Sequence, residues 1–116
     1  MLTILKNEAA DGGLEVRDVA GNWHVAPVVE EGFVVNIGDL LMRWTNDRFS
    51  STLHRVANPR AGGGARRLSI AYFVAPAYDS VIKCLPTCQT SDWPAKYAPV
   101  TVAEYRNARF ARTAAA

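Results

Sequence analysis

The sequence predicts a mainly β fold with one helix at its C-terminal end. Short stretches rich in β-branched and aromatic residues recur roughly every eight to twelve residues, a spacing typical of an all-β barrel or sandwich. The C-terminal part carries instead a helix-start signal, Thr101-Val102-Ala103-Glu104, in which the threonine and glutamate can satisfy each other's backbone amides. Hydrophobic residues make up 49% of the 116 residues, as in ordinary folded domains. We expect one domain, 1–116, with core strands over about 1–84 and a C-terminal extension and helix over 85–112.

The first half of the chain contains four predicted strands. An apolar, β-branched start predicts a strand over Met1 to Lys6, and alternation of apolar and polar residues predicts another over Leu14 to Val19. A polar turn then lets Trp23 to Val28 return as the second arm of a hairpin. Gly32 to Ile37 is a compact apolar strand, and Asp39 after it is expected to cap a short helical turn.

The second half contains the remaining predicted elements. Phe49 to Ala57 and Arg67 to Ala75 are expected to be neighbouring strands, because the loop between them is long enough to join them antiparallel. Ser80 to Cys84 predicts one more strand. The helix-start signal predicts a helix over about Val102 to Arg112.

Composition excludes several classes of function. The net charge of +2 is too small to indicate a nucleic-acid or anionic-membrane partner, and no apolar run approaches membrane-spanning length. The start of the chain lacks the cationic flank of a signal peptide, which favours a cytoplasmic location. Cys84 and Cys88 are the only cysteines; this pair makes neither a zinc site nor a disulfide framework, so reduced thiols are expected.

His54 is a candidate metal ligand. On a strand it shares one face with Thr52 and Val56, while Leu53 and Arg55 point the other way. Histidine is a common ligand for iron, but one histidine does not make a metal site. The pattern alone favours a hydrogen-bonded residue of the core or its rim.

Arg67 and Ser69 are a candidate carboxylate clamp. Residues two apart on a strand point the same way, so both share a face with Ala71 and Phe73. A guanidinium fork beside a hydroxyl can bind a carboxylate through two parallel charge-assisted bonds and a third bond. The small Ala71 leaves room for a ligand. The alternative is a solvated arginine at the start of a strand.

The ordered set of motifs resembles one known family. The motifs that carry the resemblance are Gly32-Phe33-Val34-Val35-Asn36-Ile37-Gly38-Asp39, Trp44-Thr45-Asn46-Asp47, Ser51-Thr52-Leu53-His54-Arg55-Val56 and Arg67-Leu68-Ser69. Together they resemble the isopenicillin N synthase-like Fe(II)/2-oxoglutarate dioxygenases, and the resemblance extends from Leu2 to about Arg112. It implies a double-stranded β-helix, or jelly roll, in agreement with the strand spacing.

The resemblance also implies a role for each candidate residue. His54 matches the family's distal iron-binding histidine, and Arg67 and Ser69 match the Arg-x-Ser motif that binds the distal carboxylate of 2-oxoglutarate. Ala71 and Phe73 would flank the substrate pocket. The implied cofactors are Fe(II), 2-oxoglutarate and O2, and the implied reaction couples decarboxylation of 2-oxoglutarate to oxidation of a small organic substrate.

The sequence departs from the family at the other two iron ligands. The family holds them in a His-x-Asp pair just upstream of a segment like Leu2-Thr3-Ile4-Leu5, and this sequence contains no His-x-Asp. The other histidine, His24, is expected to be a surface residue of an outer hairpin. We therefore expect the C-terminal part of a dioxygenase, a jelly roll incomplete on its N-terminal side.

Three hypotheses follow for the function. In the first, the chain is the 2-oxoglutarate-binding part of an oxygenase whose upstream half is encoded separately, as a complementary N-terminal chain, is lost, or is cut off by a misplaced start. In the second, it is a catalytically inactive jelly-roll module that binds ligands, or self-associates through exposed sheet edges. A cupin-like binder is a third hypothesis, but it would need a cluster of inward histidines, and the sequence has two histidines in all.

Overall fold

The computed structural model describes residues 1–8, 13–57 and 68–114. These residues form two compact units. The strand-rich unit contains Leu2–Ile37 and Ser51–Val74, and the helical unit contains Met1, Gly38–Ser50 and Ala75–Ala116. The elements in chain order are β1 (Leu2–Asn7), β2 (Leu14–Arg17), β3 (Trp23–Val25), β4 (Val34–Ile37), α1 (Asp39–Trp44), β5 (His54–Val56), β6 (Ser69–Val74), β7 (Val81–Ile82), β8 (Val100–Thr101) and α2 (Val102–Ala114).

The strand-rich unit consists of two antiparallel sheets of three strands each. One sheet has the order β4-β1-β6 and the other has the order β3-β2-β5. The predicted hairpin is present, because β2 and β3 pair around a tight turn in which Asp18 accepts a hydrogen bond from the Asn22 amide at 2.8 Å. Gly21 in this turn has φ of 93°, a conformation that glycine adopts without steric cost.

The two strands that carry the candidate site do not pair with each other. β5 pairs with β2 in one sheet and β6 pairs with β1 in the other, so the prediction of neighbouring strands is wrong. Alternation in a sequence fixes which side chains share a face, but it does not specify the partner strand. Both strands are also shorter than predicted. The residues that connect them, 58–67, lie outside the described ranges.

The helical unit is built around a small apolar core. Leu40 of α1, Ile82 of β7 and Val102 of α2 are buried together, and Val100 and Tyr105 pack against them. The predicted start of α2 is confirmed, because the Thr101 amide donates to the Glu104 carboxylate at 2.8 Å and the Glu104 amide donates back to Thr101 Oγ1 at 3.2 Å. None of the helices in the described ranges is long and apolar enough to cross a membrane.

Asp39 does not cap α1, contrary to the prediction. The capping position is Gly38, in extended backbone, and no side chain caps this helix. Asp39 is the first helical residue, and its carboxylate accepts a hydrogen bond from the Tyr105 hydroxyl at 2.7 Å. The carboxylate therefore joins the two helices of this unit rather than closing the end of one of them.

Candidate functional site

His54 is the first residue of β5, and its imidazole has a defined orientation. The ring is exposed, and Nδ1 lies 3.1 Å from the Thr52 carbonyl oxygen. A carbonyl oxygen only accepts hydrogen bonds, so Nδ1 must carry the hydrogen. In the neutral ring Nε2 then has the free lone pair, which is the state in which histidine binds a metal.

The face on which His54 lies is set by the pairing of β5 with β2. Val16 is the register partner of His54, and Leu14 is the partner of Val56; these residues share one face because directly opposed side chains in a sheet point the same way. Leu14 is buried, with 6% of its surface exposed. The expected face-sharing of His54 and Val56 therefore agrees with the register.

The opposite face of this sheet carries a separate cluster of charged and aromatic side chains. Arg55 donates to the Glu15 carboxylate at 2.6 Å, and its guanidinium lies 4.0 Å from the centre of the Trp23 ring. The Arg17 guanidinium lies 6.0 Å from the same ring centre. The Arg55 guanidinium therefore has its partners on the face of the sheet opposite to His54.

Ser69, Ala71 and Phe73 lie on one face of β6, as predicted from their spacing. Their register partners on β1 are Asn7, Leu5 and Thr3 in that order. Phe73 is 73% exposed, so its ring is not part of a core within the described residues. Arg67, the other half of the predicted clamp, lies outside the described residues, as does the neighbouring Arg66.

Asn7 was not predicted as a site residue. It is buried, with 8% of its surface exposed, and it stands directly opposite Ser69 in the register. A polar residue at the end of an apolar run is usually the start of a loop. Only the pairing of β1 with β6, which are far apart in the sequence, shows that this residue lies beside Ser69.

His24 is the second residue that the structure places near the candidate site. It is the register partner of Val16 on the side of β2 opposite to His54, so the two histidines share a sheet face. Its Nε2 lies 2.7 Å from the Asp18 carboxylate. This hydrogen bond is the main cause of the lowered pKa of Asp18, about 2.

The described residues do not form a complete iron site. They contain no group of three or more histidine, cysteine, aspartate or glutamate side chains that could hold a metal ion. A non-haem iron oxygenase holds its metal with two histidines and one carboxylate on one face of the ion. In the part of the chain that the structure describes, His54 is the candidate for one of these ligands, and no group supplies all three.

Comparison with known proteins identifies the family. Residues 1–76 match the model of the 2OG-Fe(II) oxygenase superfamily. The chain belongs to this superfamily. The family expected from the sequence motifs is therefore confirmed, and the superfamily uses Fe(II) and 2-oxoglutarate, as its name states.

Similar proteins in fungi include both curated sequences and solved structures. The 2-oxoglutarate-Fe(II) type oxidoreductase hxnY of Emericella nidulans is 42% identical over 102 residues, which are 87% of this chain and 28% of hxnY. The proline hydroxylase buaE of Petromyces alliaceus is 38% identical over 119 residues, 97% of this chain and 37% of buaE. A full-length Neurospora crassa protein, crystallised in complex with alpha-KG and thymine, superposes with a TM-score of 0.86 and 37% identity over 97% of this chain and 34% of its own.

The structural similarity confirms the predicted fold class, a jelly roll of mainly β structure with a C-terminal helix. The chain spans about a third of the length of these proteins, between 28% and 37%. Their activities and substrates therefore describe proteins about three times as long as the region that they share with this chain.

Proposed function

We propose that this chain supplies the distal iron ligand and the 2-oxoglutarate clamp of an Fe(II)/2-oxoglutarate dioxygenase that oxidises a small organic substrate. The observation that supports the proposal best is the hydrogen bond between His54 Nδ1 and the Thr52 carbonyl. It favours the tautomer in which Nε2 carries the lone pair that a metal ion would bind.

The proposed co-substrate site consists of Arg67, Ser69 and the small side chain of Ala71. In this proposal the Arg67 guanidinium binds the distal carboxylate of 2-oxoglutarate through two parallel bonds and the Ser69 hydroxyl adds a third. Asn7 supports this arrangement, because its buried amide stands opposite Ser69 and adds polar groups on the same face. Phe73, two residues beyond Ala71, flanks the substrate.

Iron chemistry in this family needs the other two protein ligands, so we assign only binding and orientation to the residues of this chain. His54 would contribute one nitrogen to the metal, and the clamp would hold the keto acid at a fixed place. Decarboxylation of 2-oxoglutarate supplies electrons for the activation of O2 in the family as a whole. The Neurospora crassa protein has been crystallised with thymine, a small molecule, which supports a small organic substrate here as well.

Anaerobic titration with Fe(II) and 2-oxoglutarate, of the chain mixed with a peptide that carries the family's His-x-Asp strand, tests the proposal. We expect a weak metal-to-ligand charge-transfer absorption that is lost in His54→Ala. Arg55→Gln is the matched control, because Arg55 is the next residue on the same strand and points to the opposite face. Retention of the absorption in His54→Ala would show that His54 is not the ligand.

A second candidate function is a catalytically inactive binding module. It is favoured by the absence of His-x-Asp from the sequence. The same titration separates the two functions: binding of 2-oxoglutarate without a charge-transfer absorption, with or without Fe(II), favours the module. Reading the nucleotide sequence upstream of the Met1 codon separates them as well, since an in-frame His-x-Asp would complete the ligand set and a nearby stop codon would not.

We also propose that the edges of β5 and β6 are where a partner pairs, either a complementary N-terminal chain or a second copy. Each strand stands at the end of its sheet, and all of their residues are exposed. Unpaired backbone groups at a sheet edge are ready to bind another strand. Mixing the chain with a peptide that carries a His-x-Asp strand, and measuring Fe(II) affinity before and after, tests the first arrangement.

A further inference from the structure

His24 and Asp18 form a hydrogen-bonded pair at the end of the β2–β3 hairpin. His24 Nε2 lies 2.7 Å from Asp18 Oδ2, and the His24 side chain remains 59% exposed. The other carboxylate oxygen, Asp18 Oδ1, accepts the Asn22 amide at 2.8 Å. The hairpin turn therefore orients the Asp18 carboxylate, and this carboxylate orients the His24 imidazole.

The register places this imidazole in a row with the candidate iron ligand. His24 and His54 stand on either side of Val16 on β2, and all three side chains share a face. Two inter-strand spacings separate the histidines, so their Cα atoms are roughly 10 Å apart. The aliphatic side chain of Val16 lies between them on the same face. A small molecule that lies over Val16 can reach both ends of the row.

The partner of Nε2 decides what the other ring nitrogen can do. An ionised carboxylate only accepts hydrogen bonds, so Nε2 carries a hydrogen. In the neutral imidazole Nδ1 is then an acceptor, and among the described residues it has no hydrogen-bond partner. The pair therefore offers an oriented acceptor to a ligand that brings an N–H or O–H group.

We propose that His24 is a specificity-determining residue that accepts a hydrogen bond from an N–H or O–H group of the substrate, and that Asp18 positions it. The inference rests on the proposed function, in which His54, at the other end of the row, binds the iron. The substrate class that it names is a small molecule with an apolar body and a hydrogen-bond donor, such as a cyclic amide or imide.

Stabilisation of the turn does not account for this pair. Asp18 already holds the turn through the Asn22 amide, and Asn22 Nδ2 is a further donor to Oδ2 at 3.3 Å. The Gly21 amide also donates to the Asp18 carbonyl at 3.1 Å. A purely structural turn would keep these bonds with any residue at position 24.

Nuclear magnetic resonance of the two imidazoles in the full chain tests the proposal. The probes are three matched pairs, each a donor and its methylated analogue: thymine and 1,3-dimethylthymine, 2-pyrrolidinone and N-methyl-2-pyrrolidinone, indole and 1-methylindole. Because the chain has only two histidines, the ring nitrogens can be assigned by substitution. We expect at least one donor to move the His24 Nδ1 resonance and to bind about tenfold more tightly than its methylated analogue.

Three variants separate substrate recognition from a structural role. His24→Phe should abolish the preference for the donor of each pair, and Asp18→Asn should reduce it, because an amide at this position also permits the tautomer with hydrogen on Nδ1. Glu15→Gln, on the opposite face of β2, should leave the preference unchanged. If no donor moves the Nδ1 resonance, or if methylation changes the affinity in no pair, the proposal is wrong.

The proposed function can fail independently of this inference. Titration with 2-oxoglutarate reports on the clamp through Ser69 and does not involve His24. Donor binding at His24 without a response to 2-oxoglutarate or metal would contradict the proposed iron and 2-oxoglutarate site and leave the recognition site intact. A response to 2-oxoglutarate without donor selectivity would refute only the role of His24.

Discussion

Asn46 holds the C-terminal extension in the helical unit. It is completely buried, and its backbone has φ of 52°, in the left-handed region that asparagine tolerates better than most residues. Its side-chain amide donates to the carbonyl oxygens of Cys88 and Pro94, both at 3.1 Å, and its Oδ1 accepts the Lys96 amide at 2.9 Å. One side chain thus satisfies three backbone groups of a segment that has little regular structure.

Substitution of Asn46 should therefore be among the most destabilising single changes in the chain. We expect Asn46→Ala to lower the free energy of unfolding by about 2–4 kcal/mol, since three backbone groups lose their partner and alanine is strained at this φ. Asn46→Gly loses the same bonds without the strain, so it should be roughly 1 kcal/mol less destabilising. Denaturant unfolding measures both.

The control for this pair of variants is the exposed neighbour Arg48. Arg48→Ala should change the free energy of unfolding by no more than about 0.5 kcal/mol. Equal stability of Asn46→Ala and the unsubstituted chain would mean that the extension does not depend on these three bonds.

Tyr105 gives the helical unit a predictable response to alkaline pH. Burial, together with the hydrogen bond that its hydroxyl donates to Asp39, raises the pKa of Tyr105 from 10.0 to about 12. A raised pKa means that the neutral form stabilises the fold below pH 10 and that this contribution is lost as the pH rises from 10 through 12. Tyr105→Phe should therefore show a shallower loss of stability over that range.

Absorbance of tyrosinate during a pH titration checks the assignment. The last tyrosine to ionise should be Tyr105, and this step should be missing in Tyr105→Phe. Tyr78→Phe is the control, since this tyrosine is 57% exposed and its removal should leave the last step in place. An unchanged titration curve in Tyr105→Phe would contradict the assignment.

At the scale of residues, an ordered motif predicts the position of a candidate side chain. The strands and faces predicted for His54 and Ser69 agree with the structure, and their roles stay predictions. Asn46 lies in the motif Trp44-Thr45-Asn46-Asp47, but its role depends on partners 42 to 50 residues away. His24 was expected to be a plain surface residue, because only the register across β2 shows that it shares a face with His54.

At the scale of elements, the Thr101 side chain stabilises the first turn of α2. Its hydroxyl accepts the Glu104 amide and donates to the Glu104 carboxylate at 2.8 Å. We expect Thr101→Ala to cost about 1 kcal/mol of stability, since an amide of the first turn loses its partner. Thr101→Ser keeps the hydroxyl and should retain most of that stability. Thermal unfolding followed by circular dichroism compares the three chains; a serine variant as unstable as the alanine variant would assign the loss to packing of the threonine methyl group.

The exposed edge of β6 should make the isolated chain self-associate. Ile70 and Tyr72 share the face of this strand opposite to Ser69 and are 64% and 67% exposed. Lysine at a sheet edge opposes pairing with another strand. We expect Ile70→Lys together with Tyr72→Lys to lower the association constant about tenfold in sedimentation equilibrium.

Phe110→Lys is the matched control for this experiment, because Phe110 is 62% exposed but lies on α2 in the helical unit. It should leave the association constant unchanged. If the control dissociates the assembly and the β6 variant does not, the interface lies on the helix.

Elements with local signals were predicted more closely than elements defined by pairing. The predicted helix over Val102 to Arg112 begins at the observed residue and extends to Ala114, because its start depends on residues three apart. The predicted strand over Phe49 to Ala57 is reduced to His54–Val56, because a strand lasts only as long as its partner β2 pairs with it. The Leu53 carbonyl oxygen accepts a hydrogen bond from the Arg17 amide at 2.9 Å, beyond the last ladder pair.

At the scale of the whole molecule, the strands of the candidate site belong to different sheets of one unit. β5 carries the candidate ligand in the sheet with β2, and β6 carries Ser69 in the sheet with β1. The strand spacing predicts an all-β barrel or sandwich and the family resemblance implies a jelly roll, but the sequence places these two strands side by side. Which strands pair depends on contacts between distant segments, and the residue pattern of one strand does not predict its partner.

A ligand that binds only the folded chain must stabilise it, which gives a test of the clamp that needs neither metal nor substrate. At a concentration about one hundred times its Kd, 2-oxoglutarate should add about 2.7 kcal/mol to the free energy of unfolding and raise the Tm by several degrees. 2-Oxopentanoate has the same carbon chain without the distal carboxylate and should stabilise the chain far less, because the Arg67 fork has nothing to bind.

Variants of the clamp complete this test. Ser69→Ala should reduce the stabilisation, and Arg67→Lys should remove most of it, because lysine keeps the charge but not the two parallel bonds. Arg66→Lys is the matched control, since alternation along the strand predicts that this neighbour points the opposite way. Equal stabilisation by the two keto acids, or an effect of Arg66→Lys as large as that of Arg67→Lys, would place 2-oxoglutarate elsewhere on the molecule.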